Sequence, residues 1–249
     1  MNTATKQVIG PNASTMQTMD SPLHLSHLMW ARIIGTSILL MALVGGLTYG
    51  AIHSIVHIPN DPLATSAAIS ANPRLVLLAI AAWAVVAILD LIVSLGIYAL
   101  YHRTSRVGSL ATASLRLLYT AFLVVATARL IPLAMGDDGS GAIGHFENFE
   151  TIWSVGLVVF GFHLFGLGLL GLKSDFSPNL LGVLLVIAGL SYVLAESTEL
   201  VAHVFPATIS VVLALFMITG ELGFGVWLTL WRPPIVTLAR HSSASWLKR

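Results

Sequence analysis

Apolar residues in this chain fall into six long runs, roughly 31–56, 74–101, 110–134, 150–172, 180–203 and 207–231, separated by short polar links. Each run exceeds the about 20 residues that an α-helix needs to cross the about 30 Å hydrocarbon slab of a bilayer. The alternating segments of about ten residues that mark a membrane barrel are absent. In lipid every backbone N–H and C=O must be satisfied inside the span, which leaves helices. The pattern predicts an all-α fold, a polytopic transmembrane bundle of six spans.

Composition supports that reading and removes others. Hydrophobic residues make up 56% of the chain and charged residues 9%, against about 25% charged in soluble domains. So few charges cannot clothe a soluble exterior, so the lipid bilayer is the expected partner. There is no cysteine, hence no disulfide or thiolate chemistry, and a net charge of +1 leaves no basic face for nucleic acid.

Lysine and arginine set the orientation. With the N-terminus inside, nine basic residues fall inside, only Arg74 falls outside, and Arg116 and Arg129 lie within the third run. Both termini are therefore expected in the cytoplasm. Residues 1–30 read as a polar tail, with a short interfacial helix starting at Ser21-Pro22. Residues 31–232 read as the membrane domain and 233–249 as a basic cytoplasmic tail. Outer loops 57–73 and 135–149 carry turn chemistry, in Pro59-Asn60-Asp61-Pro62 and around Gly136–Gly141. The link from Lys173 to Asn179 is short enough to make the fourth and fifth helices antiparallel neighbours. The three-plus-three arrangement is the arithmetic of an inverted repeat, but the halves share no residue-level similarity.

Ionisable side chains are expensive in hydrocarbon, so those inside the runs are the first functional candidates. Asp90, Arg116, His163 and Glu221 each lie 10–13 residues from the nearest inner basic residue, roughly 15–20 Å along a helix. Four helices thus bring one ionisable group each to one level. Asp90 and Arg116, on consecutive antiparallel helices, are the natural pair. His163 and Glu221 beside them can bind a polar ligand or pass a proton. The competing reading is a structural network that fixes helix packing. Glycines at 161, 166, 168 and 171 surround His163, and those at 220, 223 and 225 surround Glu221. They permit either close helix approach or a small cavity. Gly46-Leu-Thr-Tyr-Gly50 reads as a further close-packing motif.

A second group lies toward the outer face. His53 and His57 stand four residues apart at the end of the first run, as do Glu199 and His203 at the end of the fifth. Two histidines with a carboxylate and an open position suit zinc or iron. Arg129 and Glu150 are expected at similar depth. No P-loop, dinucleotide fingerprint or Gly-x-Ser-x-Gly string is present to name a cofactor or nucleophile.

The string Gly161–Gly171 (GFHLFGLGLLG), followed by Ser177–Tyr192 (SPNLLGVLLVIAGLSY), resembles the bacterial membrane family called domain of unknown function 4386. Arg32-Ile-Ile-Gly35, Asp90, Leu115-Arg-Leu-Leu-Tyr119 and Gly220-Glu-Leu-Gly223 are similar to its other signature positions. The resemblance spans about residues 30–232. It implies a six-helix protein of the bacterial inner membrane and supports Asp90, Arg116, His163 and Glu221 as family-type positions. It lends no catalytic residue or substrate, and His53, His57 and His203 fall outside its pattern.

Three functions fit the sequence. The first is a buried polar site between helices that binds or moves a small polar ligand or proton. The second is a membrane-embedded metal enzyme using His53, His57, Glu199 and His203. The third is an accessory or assembly subunit in which the polar level is packing glue.

Overall fold

A computed structural model describes residues 27–58, 61–135, 142–201 and 205–232. Six long helices run through it: α1 (His27–Leu47), α2 (Pro73–Tyr101), α3 (Arg106–Ala128), α4 (Ala142–Lys173), α5 (Asn179–Val201) and α6 (Ala207–Leu230). All six are long and apolar enough to cross a membrane, and no strand occurs among the described residues. Of the two expected tails, residues 27–30 form the start of α1, and the remainder lies outside the described residues.

Local chemistry sets the helix starts. Ser105 caps α3, its Oγ accepting from the Gly108 N–H at 3.1 Å. Pro73 occupies the first turn of α2, where its missing N–H costs nothing. The outer loop expected over 57–73 contains a helix, Pro62–Ala71. Asp61 Oδ1 accepts from the Ala64 N–H at 2.9 Å, so Asp61-Pro62 is a helix cap rather than a turn. At the same end, α1 widens after Leu47 into a π-helical stretch, Thr48–His53, and finishes in one α-turn, Ser54–Val56. Thr48 Oγ1 bonds back to the Val44 carbonyl at 2.7 Å, and Gly50 follows. Back-bonding and glycine both loosen a helix at the point where its register changes.

The helices close a ring in chain order. Each packs on its neighbours in sequence, and α1 closes on α6. Small residues mark every seam. A Cβ added at Gly96 would sit 2.6 Å from Ile34 on α1, and one at Gly156 would sit 2.8 Å from Phe122 on α3. Between α2 and α3, Ser94 Oγ donates to the Ala113 carbonyl at 2.7 Å. Gly220 on α6 lies against Ala188 and Leu184 of α5.

The α4–α5 seam is the tightest. Gly161 faces the Gly189 carbonyl and Gly168 faces the Gly182 carbonyl, and a Cβ at either position on α4 would stand 2.7 Å from that oxygen. The two contacts are one heptad apart on each helix, as left-handed antiparallel packing requires. The glycines around His163 therefore serve close approach.

The α1–α6 seam is closed over part of its length only. Gly35 meets Gly225 and Thr229, and Gly225 meets Ile38. Toward the other end Ala42, Gly46 and Ile218 are exposed, and Cβ atoms at Gly46 and Gly50 would meet nothing within 4 Å. The expected close-packing role of Gly46–Gly50 is thus not realised: the two helices have already parted there.

Candidate functional site: a charged pocket inside the ring

Inside the ring, α2, α3 and α4 bring three of the four ionisable groups into contact. Arg116 Nη2 on α3 lies 2.5 Å from Asp90 Oδ1 on α2, with both side chains buried. Arg116 Nη1 lies 3.2 Å from His163 Nε2 on α4. His163 Nδ1 lies 2.8 Å from the Thr112 carbonyl oxygen. A carbonyl only accepts, so Nδ1 carries the proton, and the Nε2 lone pair is left to accept from the guanidinium. In this arrangement the imidazole is neutral and orients Arg116. Gly166 lies beside this contact: a Cβ there would stand 2.7 Å from Thr112 Oγ1, which would have to turn aside. The Phe160 ring lies under the guanidinium, 5.2 Å from Cζ to centroid, and adds a cation–π contact.

The Asp90–Arg116 contact pairs the two charges through one carboxylate oxygen. Asp90 Oδ2 and Arg116 Nε keep unused hydrogen-bonding capacity although Asp90 is only 1% exposed. Buried polar atoms of this kind call for a partner.

They face a cavity of about 360 Å³, lined by Asp90, Arg116 and Glu221 together with Tyr119, Tyr192 and Trp153. Glu221 on α6 stands apart from the Arg116 cluster. Its Oε2 accepts from the Tyr192 hydroxyl at 3.3 Å, and no basic group lies within ion-pair distance of it among the described residues. His163 does not line the cavity; it sits behind Arg116. The walls on the α1 and α6 sides include Ala42, Gly46 and Ile218, the exposed residues where those helices part. The pocket therefore opens sideways, between the first and sixth spans.

The histidines at the far end of α1 gather differently from the expected set. Glu199's side chain and all of His203 lie outside the described residues. His53 and His57 instead meet Glu150 of α4. His53 Nε2 stands 3.1 Å from His57 Nδ1 and 3.6 Å from Glu150 Oε1. The sequence places Glu150 at this depth but not beside the histidines, because nothing in the spacing shows that the early turns of α4 meet the end of the first span. Arg129, expected at the same depth, is exposed.

The family described as domain of unknown function (DUF4386) matches residues 33–231. This chain belongs to that family. An uncharacterised protein of Archaeoglobus fulgidus is 27% identical over 143 residues, covering 57% of this chain and 76% of that protein. No solved structure matches. In this DUF4386 protein the two strings that carry the resemblance, Gly161–Gly171 and Ser177–Tyr192, are the two sides of the α4–α5 glycine seam. The same strings supply His163 behind Arg116 and Tyr192 beside Glu221.

Proposed function

We propose that this integral membrane protein binds or moves a small positively charged species, either a compact organic ammonium ion or a proton, in the pocket between its helices. One observation carries the reading: a buried carboxylate, Asp90, and a half-buried one, Glu221, share the pocket with a single guanidinium. Arg116 pairs with Asp90, while Glu221 accepts from the Tyr192 hydroxyl and has no basic group within ion-pair distance among the described residues. With both carboxylates ionised, the pocket holds one excess negative charge in a low-dielectric setting, which favours an incoming cation. The unused Asp90 Oδ2 suits an N–H donor, and the aromatic walls suit a cation against ring faces. Arg116, held by His163 and Phe160, acts as the fixed internal counterion. The lateral opening supports entry from the bilayer, which favours a ligand with an apolar portion.

Arg103, Arg106 and Lys173 lie in or flank links between spans, and Arg232 follows the last span. Their concentration supports placing these links, and both termini, in the cytoplasm of a bacterial inner-membrane protein. The pocket mouth then faces the outer leaflet.

The test uses purified protein in detergent. Thermal shifts are compared for small alkylammonium ions and their neutral isosteres, in wild type and in Glu221→Gln. The expected result is a rise in Tm with the ammonium ions alone, lost in the variant. For the proton arm, acidification should displace the ammonium ion from wild type. If ammonium ions and neutral isosteres act equally on both proteins, and neither protein responds to pH, the reading is overturned.

A further inference from the structure

The cluster of His53, His57 and Glu150 does not line the charged pocket, and the function above does not use its side chains. It joins two elements about 100 residues apart in sequence. His53 closes the π-helical stretch of the first span, His57 follows one turn later, and Glu150 belongs to α4. We propose that these three side chains form a binding site for one divalent transition-metal ion of the zinc class.

The spacing of the ligand atoms is the first argument. Tetrahedral zinc, with bonds of about 2.0–2.1 Å, holds neighbouring ligand atoms about 3.3 Å apart. Here His53 Nε2 lies 3.1 Å from His57 Nδ1 and 3.6 Å from Glu150 Oε1, and all three atoms fall within 4.8 Å of one another.

Proton arithmetic is the second. If His57 Nδ1–H donates to His53 Nε2, that nitrogen's one lone pair is engaged and it has no proton for the Glu150 carboxylate. If His53 Nε2–H donates, one proton must divide between a nitrogen and a carboxylate in different directions. A cation set among the three atoms takes a lone pair from each and removes the conflict.

The surroundings hold the set in place. Phe146 stacks on His57 with ring centroids 5.2 Å apart, and Tyr49 packs on His53 at 4.5 Å. Rings packed in this way keep ligand orientations fixed before the ion arrives. The π-helical turn places His53 toward α4, and such turns recur at functional sites. Two histidines and one carboxylate leave a coordination position open to water or substrate. The ion would also tie the end of α1 to α4. Tyr49, which touches His53, lines the charged pocket as well, so the tie holds one lip of its mouth.

Chelator-stripped, full-length protein in detergent is titrated with Zn²⁺ and with Co²⁺, whose visible d–d bands report its coordination. One zinc per chain is expected, together with cobalt bands that zinc abolishes. His57→Ala and Glu150→Gln should each weaken binding at least tenfold, while His102→Ala, at the opposite end of the bundle, leaves it unchanged. Gel-filtration behaviour and helical circular dichroism identify any variant that has failed to fold, and His53→Ala then takes its place. Folded wild type that takes up neither ion in stoichiometric amount overturns the proposal. So does undiminished affinity in the folded ligand variants.

Discussion

The two sides of the ring are built from the same residue type and end in opposite states. Along α4 and α5, glycines repeat one heptad apart and press backbone against backbone, so the wall is sealed over two contacts. Along α1 and α6, Gly35 and Gly225 seal one end, while Gly46 and Gly50 face open space at the other. Behind the sealed wall, Arg116 is held by Asp90, His163 and Phe160. At the open side Glu221 accepts from the Tyr192 hydroxyl and makes no ion pair among the described residues. Glycine in a span therefore marks either a contact or a gap, and only the partner helix decides which. The fixed charges lie against the sealed side, and the accessible carboxylate lies toward the open one.

Substitutions on the two sides should separate them. Arg116→Ala leaves Asp90 buried without a counter-charge, and breaking a buried pair costs about 3–5 kcal/mol. It should give the largest loss of Tm in detergent. Replacing both partners with apolar residues, Asp90→Leu with Arg116→Met, should restore much of that loss. A double variant no more stable than Arg116→Ala would show that the cluster contributes more than paired charge. Gly189→Ala drives a Cβ to 2.5 Å from the Gly161 carbonyl and the Phe165 nitrogen. Backbone cannot step aside as a side chain does, so a cost of about 1–3 kcal/mol is expected. His163→Ala strips an acceptor from Arg116 and a donor from the Thr112 carbonyl, at a similar about 1–3 kcal/mol. It must fall short of Arg116→Ala; equal losses would mean the imidazole does more than orient the guanidinium. The smallest effect has the opposite sign. Gly46→Ala meets nothing and improves helix propensity, so it should be neutral or stabilising by up to about 1 kcal/mol. A clear loss of Tm there would mean that the first and sixth spans meet along their whole length.

The sequence made much of this legible, for physical reasons. Hydropathy over 20 or more residues is a strong signal, and the six spans follow from it, with ends that move by a few residues. The fourth helix starts at Ala142 instead of 150, because its polar first turns lie outside the apolar run. Depth counted from basic residues put Asp90, Arg116, His163 and Glu221 at one level. Depth says nothing about direction around each helix, which is what sets His163 behind the pocket wall and Glu221 on it. The π-helical turn was hidden, because a change of register leaves no mark in hydropathy. The pairing of His53 and His57 with Glu150 was hidden too, since it depends on which helix ends meet. Asp61-Pro62 carried a true helix signal, but the neighbouring Pro59-Asn60 made it resemble a turn.

Closure of the ring by Gly35 against Thr229 has a bearing on how the molecule is made. During synthesis the earliest span to enter the bilayer must wait for the latest before it finds its seat. The hairpin of α4 and α5, joined by a short link, can zip as soon as it is inserted. Assembly should thus begin at this hairpin and finish with a docking step between the oldest and youngest helices. The pocket acquires its doorway only at that last event.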